Sequence, residues 1–392
     1  MQNCIHSILD DDQYKLSMQQ AVCQLYPRTW ARYEFINRGK IEFPSGFEDI
    51  LKWELTGLRH LQLQQIEKDF LLSKCYYLTP FYIDFLAGYR FEPRYEVKVT
   101  QKDGDLKIVI EGPWYRTILW EVPLMAMISE LYFKSLGLPK DPREILDERD
   151  KKKAERFEEL GVKFADFGTR RRYSYANHDR IVRIYKDYGP NAFVGTSNVY
   201  EAMLHKLIPI GTHAHEWFMF HAAKYGFHEA TKIALQKWAE VYQGDLGIAL
   251  SDTFTSDNFL DSFSAYFAKL FDGVRHDSGD PIEFAMKMLQ FYESIRIDPM
   301  TKTIVFSDGL TIDKVEKIEE FCRGKIRTSY GIGTHLTNDV GVKPLNMVIK
   351  MTACKPNGPE DSWIPTCKLS DEKGKYTGDQ ETIELCKKVL GI

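Results

Sequence analysis

From Phe164 onward one pattern repeats: a short apolar run, a polar or glycine-rich turn, then a stretch whose apolar residues recur at helical spacing. Eight runs end in this way, at Asp166-Phe167-Gly168-Thr169-Arg170, Val194-Gly195-Thr196-Ser197-Asn198, Gly211-Thr212-His213, Leu250-Ser251-Asp252-Thr253, Arg275-His276-Asp277-Ser278-Gly279-Asp280, Phe306-Ser307-Asp308-Gly309, Gly331-Ile332-Gly333-Thr334 and, after Met347-Val348-Ile349-Lys350, Met351-Thr352-Ala353. Serial strand–helix units predict a parallel sheet, and about this many predict a barrel whose chemistry lies at the carboxyl ends of the strands. In Leu207–Phe220, Ile208 and Ile210 fit a buried strand and Gly211 a tight turn. Thr212 is expected to cap the next helix, with Glu216 at its positive end. His213 and His215 then sit at the strand-to-helix turn. A lone histidine there reads as a satisfied, partly buried residue, but recurrence of polar turns on both sides gives it a functional reading.

The first part of the chain follows a different pattern. Arg32–Asn37 reads as a strand, Phe47–Leu63 as a helix, and Phe91–Ile110 as a hairpin whose runs Tyr95–Val99 and Leu106–Ile110 flank Lys102-Asp103-Gly104-Asp105. Glu121–Leu136 predicts a buried helix, and charge-dense Lys140–Glu159 a solvated, mostly helical segment near a boundary. Before them, Asp10, Asp11 and Asp12 precede a helical pattern through Ala21, Val22 and Leu25, which reads as an Asp-capped surface helix. The Lys- and Asp-rich stretch Gly358–Ile392, with its closing helix, is expected to return to the first domain. These boundaries divide the chain into an α+β domain (1–140), a β/α barrel (141–355) and a C-terminal segment (356–392).

Composition narrows the function. The 392 residues, 44% hydrophobic and 28% charged, describe an ordinary globular protein, and the net charge of −4 gives no reason to expect nucleic acid as a partner. Any anion site must therefore be local. The seven cysteines are scattered with no C-x-x-C pair, which argues against a disulfide framework or structural zinc and for a reducing compartment. No apolar run approaches the roughly 20 residues that span a bilayer, and no leader pattern opens the chain, so a cytoplasmic location without membrane partners is expected.

The turns carry matching chemistry. Arg170, Arg171 and Arg172 beside Gly168 offer planar guanidinium groups suited to a carboxylate or phosphate, and Phe167 offers a floor for an aromatic ring. Gly331-Ile332-Gly333-Thr334 presents backbone N–H groups that cradle a phosphate. Asp277, Gly279 and Asp280 with Asp308 suit the hydroxyls of a sugar or a hydrated Mg²⁺. A ring acid, a sugar and a phosphate held together describe a nucleotide under construction.

Seven ordered blocks, D-D-D-Q-Y-K-L-S-M-Q-Q-A-V (10–22), F-G-T-R-R-R (167–172), G-T-S-N-V (195–199), I-G-T-H-A-H-E-W-F (210–218), R-H-D-S-G-D-P (275–281), F-S-D-G-L (306–310) and Y-G-I-G-T (330–334), resemble the nicotinate phosphoribosyltransferase family in its compact bacterial form over nearly the whole chain. The resemblance implies an irregular or incomplete β/α barrel of the type II phosphoribosyltransferase kind, and a homodimer with shared active sites. It implies an ATP-coupled enzyme, classed as a ligase, that forms nicotinate mononucleotide and pyrophosphate from nicotinate and 5-phosphoribosyl 1-pyrophosphate in NAD salvage, with Mg²⁺ and ATP required. Phe167 would cover one face of the pyridine and Tyr14, from the partner subunit, the other. Arg170 would serve the ring and pyrophosphate with Thr169 and Ser197 nearby, and Arg275, Asp277 and Gly279 the ribose and pyrophosphate. Gly309, Gly331 and Gly333 would cradle the 5′-phosphate, with Ser307, Asp308 and Thr334 of the same blocks completing the set. His215 would accept the γ-phosphoryl group of ATP, whereas His213 matches no demanded position and Asp11 stands where Thr is commoner. The alternatives are a relative acting on nicotinamide or quinolinate, and a non-catalytic phosphoribosyl-sensing protein.

Overall fold

The computed structural model describes residues 4–138, 140–372 and 374–392, which include every candidate site residue. Three early strands, β1 (Trp30–Ile36), β2 (Val97–Lys102) and β3 (Asp105–Pro113), begin an antiparallel sheet. The β2–β3 hairpin turns at Asp103 (φ 49°) and Gly104 (φ 78°), the left-handed pair that a two-residue turn requires. Seven strands follow: β4 (Phe164–Asp166), β5 (Phe193–Thr196), β6 (Ile208–Pro209), β7 (Ile248–Leu250), β8 (Gly273–His276), β9 (Thr303–Phe306) and β10 (Arg327–Ile332). All their pairings are parallel, in the order β6-β5-β4-β10-β9-β8-β7, and β6 and β7 end the sheet unpaired with each other. The result is the incomplete barrel that the resemblance implies.

The eighth predicted barrel strand is not in this sheet. Val348–Lys355 forms β11, antiparallel to β1, and Ile364–Pro365 forms β12 beside it, giving the order β12-β11-β1-β3-β2. From Val348 to Ala353 the buried residues Ile349, Met351 and Ala353 alternate with half-buried ones, before Cys354, also buried, breaks the pattern. That alternation belongs to an antiparallel sheet covered on one face, and the strand runs straight through the turn expected at Met351-Thr352-Ala353. Other boundaries shift locally. The helix at Phe47 ends at Leu58, and a second helix, Gln65–Lys74, opens where the Glu67 carboxylate accepts from the Gln64 N–H at 2.6 Å. Glu121–Leu136 is a buried helix as predicted.

The N-terminal helix, Gln13–Leu25, is no surface helix. Asp10, Asp11 and Asp12 are at most 2% exposed, and Asp12 at the N-cap makes no side-chain capping bond. Its carboxylate instead accepts from Ser197 Oγ at 2.7 Å, while Gln13 N–H donates to Ser197 O and Val199 N–H to Asp11 O. The N-terminus is thereby stitched to the turn after β5, at the carboxyl end of the barrel. The C-terminal segment reaches the same end: Leu369 N–H donates to Thr253 O, and Asp371 Oδ1 accepts from Ser256 N–H at 2.7 Å.

Candidate active site

A cavity of about 450 Å³ opens where β4, β8, β9 and β10 end, and β11 and the C-terminal segment close its side. Phe167, Arg170, His215, Arg275, Asp277, Ser307, Asp308, Gly309, Gly333 and Thr334 line it, so ten predicted residues meet there. A recess of about 60 Å³ adjoins it and shares Arg170, His215, Arg275, Asp277 and Lys350.

His215 is the first residue of the helix His215–Tyr225, whose N-cap is Ala214 rather than the expected Thr212. Thr212 O is used instead as an acceptor for Ser17 Oγ at 2.8 Å. The imidazole is held from both sides: Nδ1 lies 3.0 Å from Thr253 Oγ1, and Nε2 lies 3.0 Å from both Asp277 Oδ2 and Lys368 Nζ. Burial, then the Lys368 ammonium, lowers its pKa to about 4 against the pull of Asp252 and Asp277. The ring is therefore neutral at physiological pH and keeps one nitrogen lone pair. Asp277 is fixed in turn by Arg275 Nη2 at 2.9 Å and Ser307 Oγ at 2.7 Å. His213 is a buried histidine off the cavity: fully enclosed beside Trp238, its Nε2 accepts from Leu250 N–H at 3.2 Å, while its Nδ1 has no partner among the described residues.

Arg170 is tied down more firmly than its sequence context predicts. Its Nη1 donates to Glu121 at 3.1 Å, and Glu121 is shared with Lys15 at 2.7 Å, which also reaches Glu216 at 2.9 Å. Burial works against the Glu121 charge, but Lys15 and Arg170 outweigh it and bring the carboxyl to about 2. Glu216 is pushed up by burial, with Glu121 adding to the rise and Lys15 and Lys350 opposing it. Tyr14 lines the recess, its ring 6.0 Å from the Arg170 guanidinium. The tyrosine assigned by resemblance to a partner subunit thus stands beside Arg170 of its own chain. Of the three consecutive arginines, Arg170 and Arg171 face the cavity, whereas Arg172 is fully buried against Asp10.

Four expected residues lie off the cavity wall. Ser197 and Thr169 are buried behind it, Ser197 bonded to Asp12, and Gly279 faces Asp371 on another surface. Gly331 lies under Phe167 on β10, where any Cβ would run into the aromatic ring. Its smallness therefore seats Phe167, whereas Gly309, Gly333 and Thr334 line the cavity itself. Gly331→Ala is expected to tilt Phe167 and raise the Michaelis constant for the ring substrate about tenfold, with a stability loss of about 1–3 kcal/mol from overpacking. Steady-state kinetics with thermal melting check both, and an unchanged Michaelis constant would remove Phe167 from the ring site.

Four cationic wall residues were not foreseen: Arg38, Lys350, Lys368 and Lys375. Lys350 sits on the strand expected in the barrel, and the two later lysines lie in the segment expected only to pack. Lys368 reaches Asp252 Oδ2 at 3.0 Å and Lys375 reaches Asp308 Oδ2 at 3.1 Å. Among the described residues, seven cationic side chains line the main cavity against three carboxylates, a surplus suited to a polyphosphorylated substrate.

A parallel half-barrel with such a basic pocket, an aromatic floor and a buffered neutral histidine defines an enzyme class that transfers a phosphorylated sugar. Residues 162–392 match the Nicotinate phosphoribosyltransferase (NAPRTase) family, and residues 9–129 its N-terminal domain. The chain is 54% identical over 388 residues to nicotinate phosphoribosyltransferase of Chromohalobacter salexigens, covering 99% of each chain. It is 52% identical to that of Desulforapulum autotrophicum over 98% of this chain and 99% of the other. The crystal structure of nicotinate phosphoribosyltransferase from Porphyromonas gingivalis superposes with a TM-score of 0.96 at 44% identity, over 99% of this chain and all of that one. The chain belongs to the nicotinate phosphoribosyltransferase family.

Proposed function

We propose that the chain joins nicotinate to 5-phosphoribosyl 1-pyrophosphate, forming nicotinate mononucleotide and pyrophosphate, with hydrolysis of ATP to ADP and phosphate, in NAD salvage. The observation that carries this reading is full-length family membership joined to a neutral histidine facing a basic cavity. The pyridine ring lies between Phe167 and Tyr14, its nitrogen toward the main cavity. The sugar diphosphate lies along Arg275, Asp277 and Asp308, and its 5′-phosphate at Gly309, Gly333 and Thr334. Loss of pyrophosphate builds positive charge at the anomeric carbon, and the ring nitrogen attacks with its own lone pair, so no general base is needed. The residues supply position and charge: Arg38, Arg171 and Arg275 neutralise the departing pyrophosphate.

Mg²⁺ fits beside His215. There His215, Asp252 and Asp277 bring ligand atoms within 4.8 Å of one another, and the buried Asp252 Oδ1 has no hydrogen-bond partner. Asp252 and Asp277 would hold the ion, which would shield the negative charge of the phosphates. In the ATP step, His215 Nε2 attacks the γ-phosphorus, the bond to the bridging β,γ-oxygen breaks, and ADP leaves. Lys368 Nζ, already at Nε2, pairs the new phosphoryl group.

We place the protein in the cytoplasm, a reading supported by its seven free cysteines, and no helix among the described residues is long and apolar enough to cross a membrane. A homodimer remains part of the reading, although pairing need not lend Tyr14 across an interface; sedimentation of the purified chain measures it. The first test is product formation from nicotinate, phosphoribosyl pyrophosphate and Mg²⁺, with and without ATP, beside nicotinamide and quinolinate as competing rings. Product from nicotinate that rises with ATP is expected. Product from another pyridine alone would move the assignment to that ring, and turnover of none would leave a phosphoribosyl-sensing protein.

A further inference from the structure

The cations around the cavity divide by whether a carboxylate already holds them. Arg170 is paired with Glu121 at 3.1 Å, Arg275 with Asp277 at 2.9 Å, Lys368 with Asp252 at 3.0 Å and Lys375 with Asp308 at 3.1 Å. Among the described residues, Arg38, Arg171 and Lys350 line the cavity without an ion pair. Arg38 and Arg171 touch only the large cavity, whereas Lys350 lines both it and the Tyr14 recess. Its backbone is fixed on β11 opposite Glu34 of β1, so the side chain projects from a sheet rather than a loop. Ile349, Met351, Met219 and Ala214 supply apolar wall for a ring edge, while Glu121, Glu216 and Asp277 share the wall with the cations Arg170 and Arg275.

We infer that Lys350 is the cation that pairs the ring carboxylate of the substrate and so sets the preference for the acid over the amide. This rests on the proposed function. A ring whose nitrogen faces the ribose in the main cavity turns its carboxyl group into the recess. Arg170, the obvious candidate there, already spends its charge on Glu121 and orders the wall. Lys350 has its ammonium uncommitted, and burial, with Arg170, Lys368 and Arg38 around it and Glu121 opposing them, lowers its pKa to about 8. An arriving carboxylate favours the charged form further and gains a charge-assisted bond; a neutral amide offers no such gain.

The test compares Lys350→Met, which keeps length and removes charge, with Lys350→Arg, which keeps charge. Lys350→Met is expected to raise the Michaelis constant for nicotinate about 10- to 100-fold, the loss of one charge-assisted hydrogen bond. The constant for phosphoribosyl pyrophosphate and the inhibition constant of nicotinamide are expected to stay within about threefold of wild type, and Lys350→Arg to recover most of the nicotinate affinity. Thermal melting verifies folding, and if Lys350→Met fails to fold, Lys350→Gln is read in its place. A nicotinate constant that does not move, or a rise confined to phosphoribosyl pyrophosphate, overturns the assignment. A wild-type chain that uses nicotinamide but not nicotinate overturns the functional reading and Lys350 with it; a wild-type preference that survives Lys350→Met overturns Lys350 alone.

Discussion

Replacing His215 with alanine is expected to abolish ATP hydrolysis, by at least about a thousandfold for loss of a nucleophile, and to leave slow synthesis that no longer responds to ATP. The asymmetry follows from what the imidazole touches. Its Nε2 lies at the cavity wall beside Lys368 and Asp277, and its Nδ1 is occupied by Thr253. Burial and Lys368 keep the ring neutral, the form with a lone pair to give. The transferase step as proposed uses other groups. Phe167, Arg275 and the cradle at Gly309 and Gly333 are anchored on separate strand ends, and Asp277 keeps Arg275 and Ser307 when the histidine is gone. Incubation with γ-labelled ATP separates the two reactions: wild type takes label into an acid-labile protein form and His215→Ala takes none. A variant that still incorporates label would place the phosphoryl acceptor elsewhere, and a variant that makes no product at all would make His215 part of the transferase step itself.

The turns that carry this chemistry were legible because the strand, turn and helix grammar is local. A short apolar run followed by a polar or glycine-rich turn marks β4 through β10 without knowledge of what packs on it, although β6, at the sheet edge, leaves Ile208 60% exposed rather than buried and excludes Ile210. Non-local pairing was not legible. Val348–Lys355 has the apolar character of a barrel strand, and only the presence of β1 alongside decides that it pairs there. Lys350 was missed with it. Asp10 to Asp12 carry the composition of an N-cap, yet all three are enclosed by the turn after β5 and by Arg172, partners far away in sequence. Lys368 and Lys375 come from a segment whose charge pattern is that of a solvated tail. Its path over the barrel mouth depends on bonds from Leu369 to Thr253 and from Asp371 to Ser256. Gly331 shows the same limit at a single position: its smallness was visible, but the ring that requires it was not.

Arg172→Met is expected to destabilise the protein by about 3–5 kcal/mol, because it strands a buried carboxylate. The guanidinium is fully buried and grips both oxygens of Asp10 at 2.7 and 2.8 Å, with a third bond to Cys4 O at 2.8 Å. Asn198 Nδ2 adds one bond to Asp10 at 2.8 Å, too little to replace a charge. Burial opposes ionisation of Asp10, but Arg172 outweighs it and the carboxyl is lowered below its ordinary value. In wild type the pair therefore stabilises above the ordinary carboxylate pKa of about 4, and that contribution fades as pH falls below it. In the variant the sign reverses, because an unpaired buried Asp10 prefers its proton and folding becomes easier as pH falls. Urea unfolding should thus show a stability gap that is widest near neutrality and narrows toward about pH 4.5. Adding Asp10→Asn to the variant should recover part of the loss at neutral pH by removing the stranded charge. A gap under about 1 kcal/mol, or one independent of pH, would mean that Arg172 is held by packing and that its ion pair to Asp10 contributes nothing to the join between the N-terminus and the barrel.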